Sequence, residues 1–119
     1  MTLLHLIDDD DAVRDSLGLM LRGRGFNVRE HPSAEDFLRE FPPPQPGCII
    51  SDISMRGMSG FDLLRRLREL GDETPVIVIT GRPEVDTRTR ALALGAAAVF
   101  EKPLVVEDML TAIQAVISE

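Results

Sequence analysis

The sequence predicts one α/β domain: a five-stranded, parallel, doubly wound sheet flanked by five helices. Two observations predict it. Short apolar runs alternate five times with longer segments of helical period, and parallel strands need such helical crossovers. The run PVIVIT (75–80) is apolar almost throughout, as a strand covered on both faces must be. At 119 residues the chain has the length of one domain with a real core.

The elements follow in order. LLHLI (3–7) is the first strand, and Asp8–Asp11 form the loop after it. Val13, Leu17, Met20 and Leu21 then recur at helical spacing until Gly23 and Gly25 stop the pattern. FNVRE (26–30) is a weaker strand. Pro32-Ser33 opens a helix that Ser33 caps and in which Phe37, Leu38 and Phe41 face inward. PPPQPG (42–47) excludes helix and inner strand, and is expected as a surface connection, with a proline-rich docking motif as the alternative. CIIS (48–51) is the third strand. Phe61, Leu64 and Leu67 mark the next helix, closed by Gly71. After the fourth strand (75–80), residues 84–94 make a helix with a poor stripe, because Val85 and Leu92 are separated by Asp86, Arg88 and Arg90. AAVF (97–100) is the fifth strand. The last helix carries Val106, Met109, Leu110, Ile113, Val116 and Ile117.

Composition narrows the function. A net charge of −7 argues against a broad nucleic-acid or anionic-membrane surface. No apolar run approaches the roughly 20 residues of a membrane span. The N-terminus lacks the basic segment of a signal peptide, so a cytoplasmic protein is expected. The one cysteine, Cys48, excludes an internal disulfide and a multi-cysteine metal site, and reads as a small buried hydrophobe.

In doubly wound sheets, function collects beyond the carboxyl ends of the strands. Here the first strand ends in Asp8-Asp9-Asp10-Asp11, the third in Asp52, the fourth in Thr80 and the fifth in Glu101-Lys102-Pro103; Glu30-His31 ends an edge strand. Each has an ordinary alternative. The Asp run is a solvated loop whose last member caps a helix, Asp52 caps a turn, Thr80 is a β-branched strand residue, and Lys102 is a surface charge. Their coincidence at four strand ends outweighs these. Two carboxylates about 4 Å apart repel by roughly 4 kcal/mol at an effective dielectric near 20. Crowded together, Asp8, Asp9 and Asp52 have raised pKa values unless a cation sits among them. Oxygen ligands without His or Cys select a hard ion, and a few carboxylates plus waters suit Mg²⁺, with Mn²⁺ as a substitute. A metal held this way serves a phosphoryl group, and a central carboxylate such as Asp52 accepts one covalently. The chain has 12 arginines and one lysine, and that lysine lies at the fifth strand end. A compact ammonium fits a narrow site that a planar guanidinium does not; codon bias is the alternative.

The set LIDDD (6–10), SDISMRGMSG (51–60), VIVITG (76–81) and FEKP (100–103) resembles the receiver domains of two-component response regulators over essentially the whole chain, on the FixJ/NarL side of the family. The resemblance implies the flavodoxin-like strand order 2-1-3-4-5. It implies that Asp52 accepts phosphoryl from a sensor histidine kinase. Asp9, Asp52 and the backbone carbonyl of Ser54 would ligate Mg²⁺, Asp8 would act through water, and Asp10 would lie beside the pair. Lys102 would contact Asp52 and a phosphoryl oxygen, and Thr80 would swing toward the phosphoryl group past the small Gly81. The Lys102-Pro103 bond would be cis. A C-terminal DNA-binding domain would lie outside this single receiver domain, whose enzymology would be limited to weak self-phosphorylation and autodephosphorylation.

Two features depart from the family's pattern. Arg56-Gly57 stands where many relatives have a proline after the methionine, which loosens the loop and lets Arg56 approach the acidic site. The usual switch aromatic is replaced by Val99; Phe100 faces the opposite side and is either its substitute or core. Phosphorylation would draw in Thr80 and Lys102, with the weakly patterned fourth helix as the bistable element. Its face with the fifth strand and last helix, including Arg88, Arg90, Glu107 and Asp108, would control homodimerisation or a transcriptional output. The alternative is a pseudo-receiver that works without phosphorylation. A dehalogenase-type phosphatase needs a second Asp where Ser54 stands, and a flavodoxin lacks support in a chain without Tyr or Trp.

Overall fold

The computed structural model describes residues 3–41, 47–81 and 86–117. Ten elements alternate along it: β1 (Leu3–Ile7), α1 (Asp11–Gly23), β2 (Asn27–His31), α2 (Ala34–Arg39), β3 (Gly47–Asp52), α3 (Gly60–Glu69), β4 (Val76–Thr80), α4 (Thr87–Ala93), β5 (Ala98–Glu101) and α5 (Val106–Ile117). The strands pair in parallel in the order β2-β1-β3-β4-β5, as the sequence led us to expect.

Alternation along the strands divides the core between two faces. Leu4, Leu6, Cys48, Ile50, Ile77 and Ile79 pack with Leu21 of α1 and Met109 and Ile113 of α5. Ile7, Ile49, Val76, Val78 and Val99 pack with Phe37 of α2, Leu63, Leu64 and Leu67 of α3, and Ala91 of α4. All five β4 residues are buried, and each large apolar side chain so covered contributes about 1.5–3 kcal/mol. Cys48 is fully buried, and burial pushes its thiol up to about 12.

Three sequence expectations need correcting. Gly47 is the first residue of β3 rather than the end of a loop, because it pairs with Leu3. A Cβ there would stand 2.1 Å from the Leu3 carbonyl oxygen, so only glycine lets the two strands come into register. The rest of the expected surface connection, 42–46, lies outside the described residues. α4 begins at Thr87, and the expected Val85 is likewise outside the described residues. α4 turns Thr87 and Ala91 inward, one turn apart, and leaves Leu92 46% exposed, so its apolar footprint is smaller than the stripe implied. The helix cap at the aspartate run is Asp10, whose carboxylate accepts from Val13 N at 3.1 Å; Asp11 already belongs to α1. The other expected cap holds: Ser33 Oγ accepts from Asp36 N at 3.0 Å.

One core feature went unread in the sequence. His5 alternates with Leu4 and Leu6, so it faces α2, where its Nδ1 lies 3.0 Å from His31 Nε2. Both rings are buried, and Phe37 meets each edge-on. The bond needs one donor and one acceptor, so the pair cannot be fully protonated without breaking it. Burial, then the charge His31 would carry, then Arg29 lower the His5 pKa to about 4 against a weaker pull from Glu40. Burial also lowers His31, opposed first by Glu40, whose carboxylate is 3.5 Å from His31 Nδ1. The sign follows by linkage: an imidazole kept neutral in the fold stabilises fully above its unfolded value near 6.5, and that stability drains away as pH falls toward 4. Between pH 6.5 and 5 the His5 contribution should fall by about 2 kcal/mol, at ~1.4 kcal/mol per pH unit. Urea midpoints of the wild type should therefore drop across that interval, whereas those of a His5→Leu/His31→Leu double variant should show a shallower slope. Equal slopes would refute the assignment.

Candidate functional site

The carboxyl ends of β1 and β3 meet at the centre of the sheet, since Ile7 pairs with Ser51 and Asp52 follows immediately. One carboxylate oxygen each from Asp8, Asp9 and Asp52 lies within 4.8 Å of the other two. Asp8 is 5% exposed and Asp52 9%. Two of the three charges are thus largely withdrawn from water, which raises the cost of their mutual repulsion.

Local bonds hold this geometry. Asp8 Oδ1 accepts from Asp10 N at 2.9 Å, which turns the chain from β1 into α1. Arg14, one turn into α1, donates from Nη1 to the Asp8 carbonyl at 2.8 Å. Its guanidinium also reaches Asp11 at 2.8 Å and Glu30 at 3.7 Å, so it ties the end of β1 to α1 and β2. Beyond Asp52, Gly60 N donates to the Ile53 carbonyl at 2.9 Å and closes the loop. Ser59 and Asp62 then start α3 with a reciprocal capping box, both bonds 3.1 Å.

Electrostatics differ among the three acids. Asp52 is raised above the ordinary carboxylate range, chiefly by burial; Lys102 pulls it down and Asp8 pushes it up. Asp8 is raised by burial too, against the Asp10 amide and Lys102. Asp9 moves the opposite way, because Arg56 N donates to its Oδ2 at 2.9 Å and Arg56 Nε at 3.3 Å. Asp52 Oδ1 is buried without a hydrogen-bond partner among the described residues. An orphaned anionic oxygen beside two further carboxylates, in an oxygen-only donor set, suits a hard divalent cation.

Lys102 follows β5, and its Nζ stands 3.8 Å from Asp52 Oδ2. Its backbone N donates to the Thr80 carbonyl at 2.9 Å, which fixes the two strand ends side by side. The Lys102-Pro103 bond is cis. Thr80 is buried at the end of β4, next to Ile79, the register partner of Asp52. Among the described residues, a Cβ at Gly81 would make ordinary contact with Lys102 Cδ, at 3.5 Å. Ser54 is exposed in the loop after Asp52. Val99 is in the core beneath α2, α3 and α4, whereas Phe100 packs against the core beneath α1 and α5. The structure therefore brings Asp8, Asp9, Asp52 and Lys102 together with Arg56 and keeps Val99 and Phe100 on opposite faces. Arg14 and the backbone bond from Arg56 were missed in the sequence. The arginine at the first turn of α1 after an acidic run is the one signal that pointed to the former.

Comparison with known proteins places the chain in a family. The family model described as the response regulator receiver domain matches residues 4–114. The transcriptional regulatory protein FixJ of Azorhizobium caulinodans is 43% identical over 112 residues, 94% of this chain and 53% of the relative. The response regulator protein TodT of Pseudomonas putida is 37% identical over 114 residues, 96% of this chain and 50% of the relative. The chain thus spans about half the length of these curated relatives. The crystal structure of FixJ-N superposes with a TM-score of 0.93 at 38% identity, covering 100% of this chain and 95% of that one. Full-length FixJ from B. japonicum gives 0.91 at 34% identity, covering 98% and 58%. With five parallel strands in this order and acids gathered at their central ends, the chain belongs to the receiver domains of two-component response regulators.

Proposed function

We propose that this domain is a phosphorylation-dependent signalling switch in which Asp52 accepts a phosphoryl group from a sensor histidine kinase. The carrying observation is the buried, unpartnered Asp52 Oδ1 at the end of the central strand, with Lys102 Nζ 3.8 Å from the other oxygen of the same carboxylate. Attack by the ionised Asp52 on phosphorus forms a P–O bond and releases the donor's imidazole nitrogen as the leaving group. Burial disfavours the ionised nucleophile, and Lys102 offsets this. After transfer the ammonium is placed to meet a phosphoryl oxygen.

Receiver domains bind Mg²⁺ at an acidic pocket, and the residues present fit one. Asp9 and Asp52 would hold the ion with the Ser54 carbonyl, and Asp8 through water; Mn²⁺ would substitute. When bound, the ion neutralises charge on the transferring group. The chain's own residues do the rest. Arg14 fixes the Asp8 carbonyl, β1 and β3 present the acids at fixed spacing, and Thr80 turns its hydroxyl toward the phosphoryl group past the small Gly81.

Output passes through α4, β5 and α5. α4 is seven residues long, buries only Thr87 and Ala91, and is linked to α3 by the Arg90 guanidinium 4.1 Å over the Phe61 ring. So little anchoring makes it the element a new charge at Asp52 can move. The face it forms controls homodimerisation or a transcriptional output. Contact with DNA is assigned to a domain outside this chain, consistent with the charge of −7. Among the described residues no helix is long and apolar enough to cross a membrane.

Acetyl phosphate with Mg²⁺ should add the mass of one phosphoryl group to the wild type and none to Asp52→Asn. An unlabelled wild type would favour the pseudo-receiver instead, the reading to which Arg56 and Val99 lend support. A second outcome follows from the raised Asp52 carboxyl. Its charge penalises the fold, a cost that sets in as pH rises through the ordinary carboxylate range and is complete above the raised folded value. At neutral pH without Mg²⁺, Asp52→Asn should therefore melt higher than the wild type. Mg²⁺ should stabilise the wild type and leave the variant nearly unmoved. A lower melting temperature for Asp52→Asn would sink this account.

A further inference from the structure

Asp9, at the rim of the acid cluster, is already engaged by Arg56. Its Oδ2 accepts from the backbone N of Arg56 at 2.9 Å and from the Arg56 side-chain Nε at 3.3 Å. The two bonds differ in kind. The backbone bond docks the loop after β3, whose chain reverses at Gly57 with φ +76° and is held again where Met58 N donates to Glu35 Oε2 at 3.3 Å. The side-chain bond joins a guanidinium that is 89% exposed to a carboxylate that is 22% exposed. A pair this wet is weak and exchanges readily.

We propose that Arg56 is a latch on the cation pocket: its guanidinium occupies Asp9 in the metal-free domain, and an entering Mg²⁺ must displace it. The inference rests on the reading of Asp8, Asp9 and Asp52 as the divalent-cation site. Arg56 neutralises one of three crowded acids without entering the buried part of the cluster, so it stabilises the empty pocket and competes with the ion for the same carboxylate. A residue acting this way tunes Mg²⁺ affinity, and with it the Mg²⁺ concentration at which phosphoryl uptake begins. It is a positioning residue: it touches a ligand of the metal, not the reacting atoms. Because the docking bond comes from the backbone, removing the side chain leaves the loop in place.

The test uses Mg²⁺ alone on the whole domain, followed by backbone amide and arginine Nε–H resonances. In the wild type, amides around Asp8, Asp9 and Asp52 should shift together with the Arg56 Nε–H resonance, with one common Kd, as the side chain lets go. In Arg56→Gln the metal-free melting temperature should fall by at most about 4 °C and the Mg²⁺ Kd should fall about two- to five-fold, the range open to an exposed ion pair. An unchanged Kd would overturn the latch. So would a lowered Kd with the wild-type Arg56 Nε–H unmoved by Mg²⁺, since the gain would then come from net charge. If pocket amides ignore Mg²⁺ altogether, the cation-site reading fails and the latch with it, a result distinct from failure of the latch alone.

Discussion

Three carboxylates held within 4.8 Å at the rim of a parallel sheet are the constraint on which the rest of this structure turns. The sheet creates the crowding. Parallel pairing of β1 with β3 sets Ile7 against Ser51, so the residues just beyond these strands cannot avoid one another. Burial then removes the water that would screen them, and both Asp8 and Asp52 resist ionisation as a result. A fold that needed only stability would place apolar groups here.

Most of the unusual features around the rim answer this repulsion. Lys102 faces Asp52 from just beyond β5, Arg56 faces Asp9 from the loop after β3, and Arg14 braces the Asp8 backbone from α1. The three cations come from three different elements and touch three different acids. They are also unequal in kind. Arg14 is mostly buried and branches to three partners, as a fixed strut should. Arg56 is almost wholly exposed and linked to one, as an exchangeable group should be. Lys102 stands at 3.8 Å, close enough to attract yet not bonded, which leaves space between ammonium and carboxylate.

How far the sequence disclosed this depended on whether a signal was local or long-range. The strands were legible because their burial on two faces demands continuous apolar runs, and the acids because the alternation of elements delivers strand ends to one rim. Ser33 was legible as a cap because capping is a matter of three residues. Gly47 was not, since its role depends on the Leu3 carbonyl 44 positions away in the chain, a spacing that pattern alone does not reveal. His5 and His31 were hidden for the same reason: each looks like an isolated polar residue, and only strand register brings the rings together. The bond from Arg56 N to Asp9 belongs to the backbone and leaves no mark on residue type at all.

The same division explains why α4 rather than any other helix is suited to move. α3 buries Leu63, Leu64 and Leu67 with Gly60 and starts from a reciprocal cap, so displacing it would cost several large apolar contacts at about 1.5–3 kcal/mol each. α4 offers a threonine and an alanine, has no side-chain cap at Asp86, and presents Leu92 to solvent. Its contact with α3 through Arg90 and Phe61 is a cation–π stack on a partly exposed surface, worth about 0.5–1 kcal/mol. A phosphoryl group at Asp52 brings close to two negative charges within reach of Lys102 and Thr80. What holds α4 is thus far less than what holds α3. Under the proposed function, the weak packing of this one helix is what would channel the response.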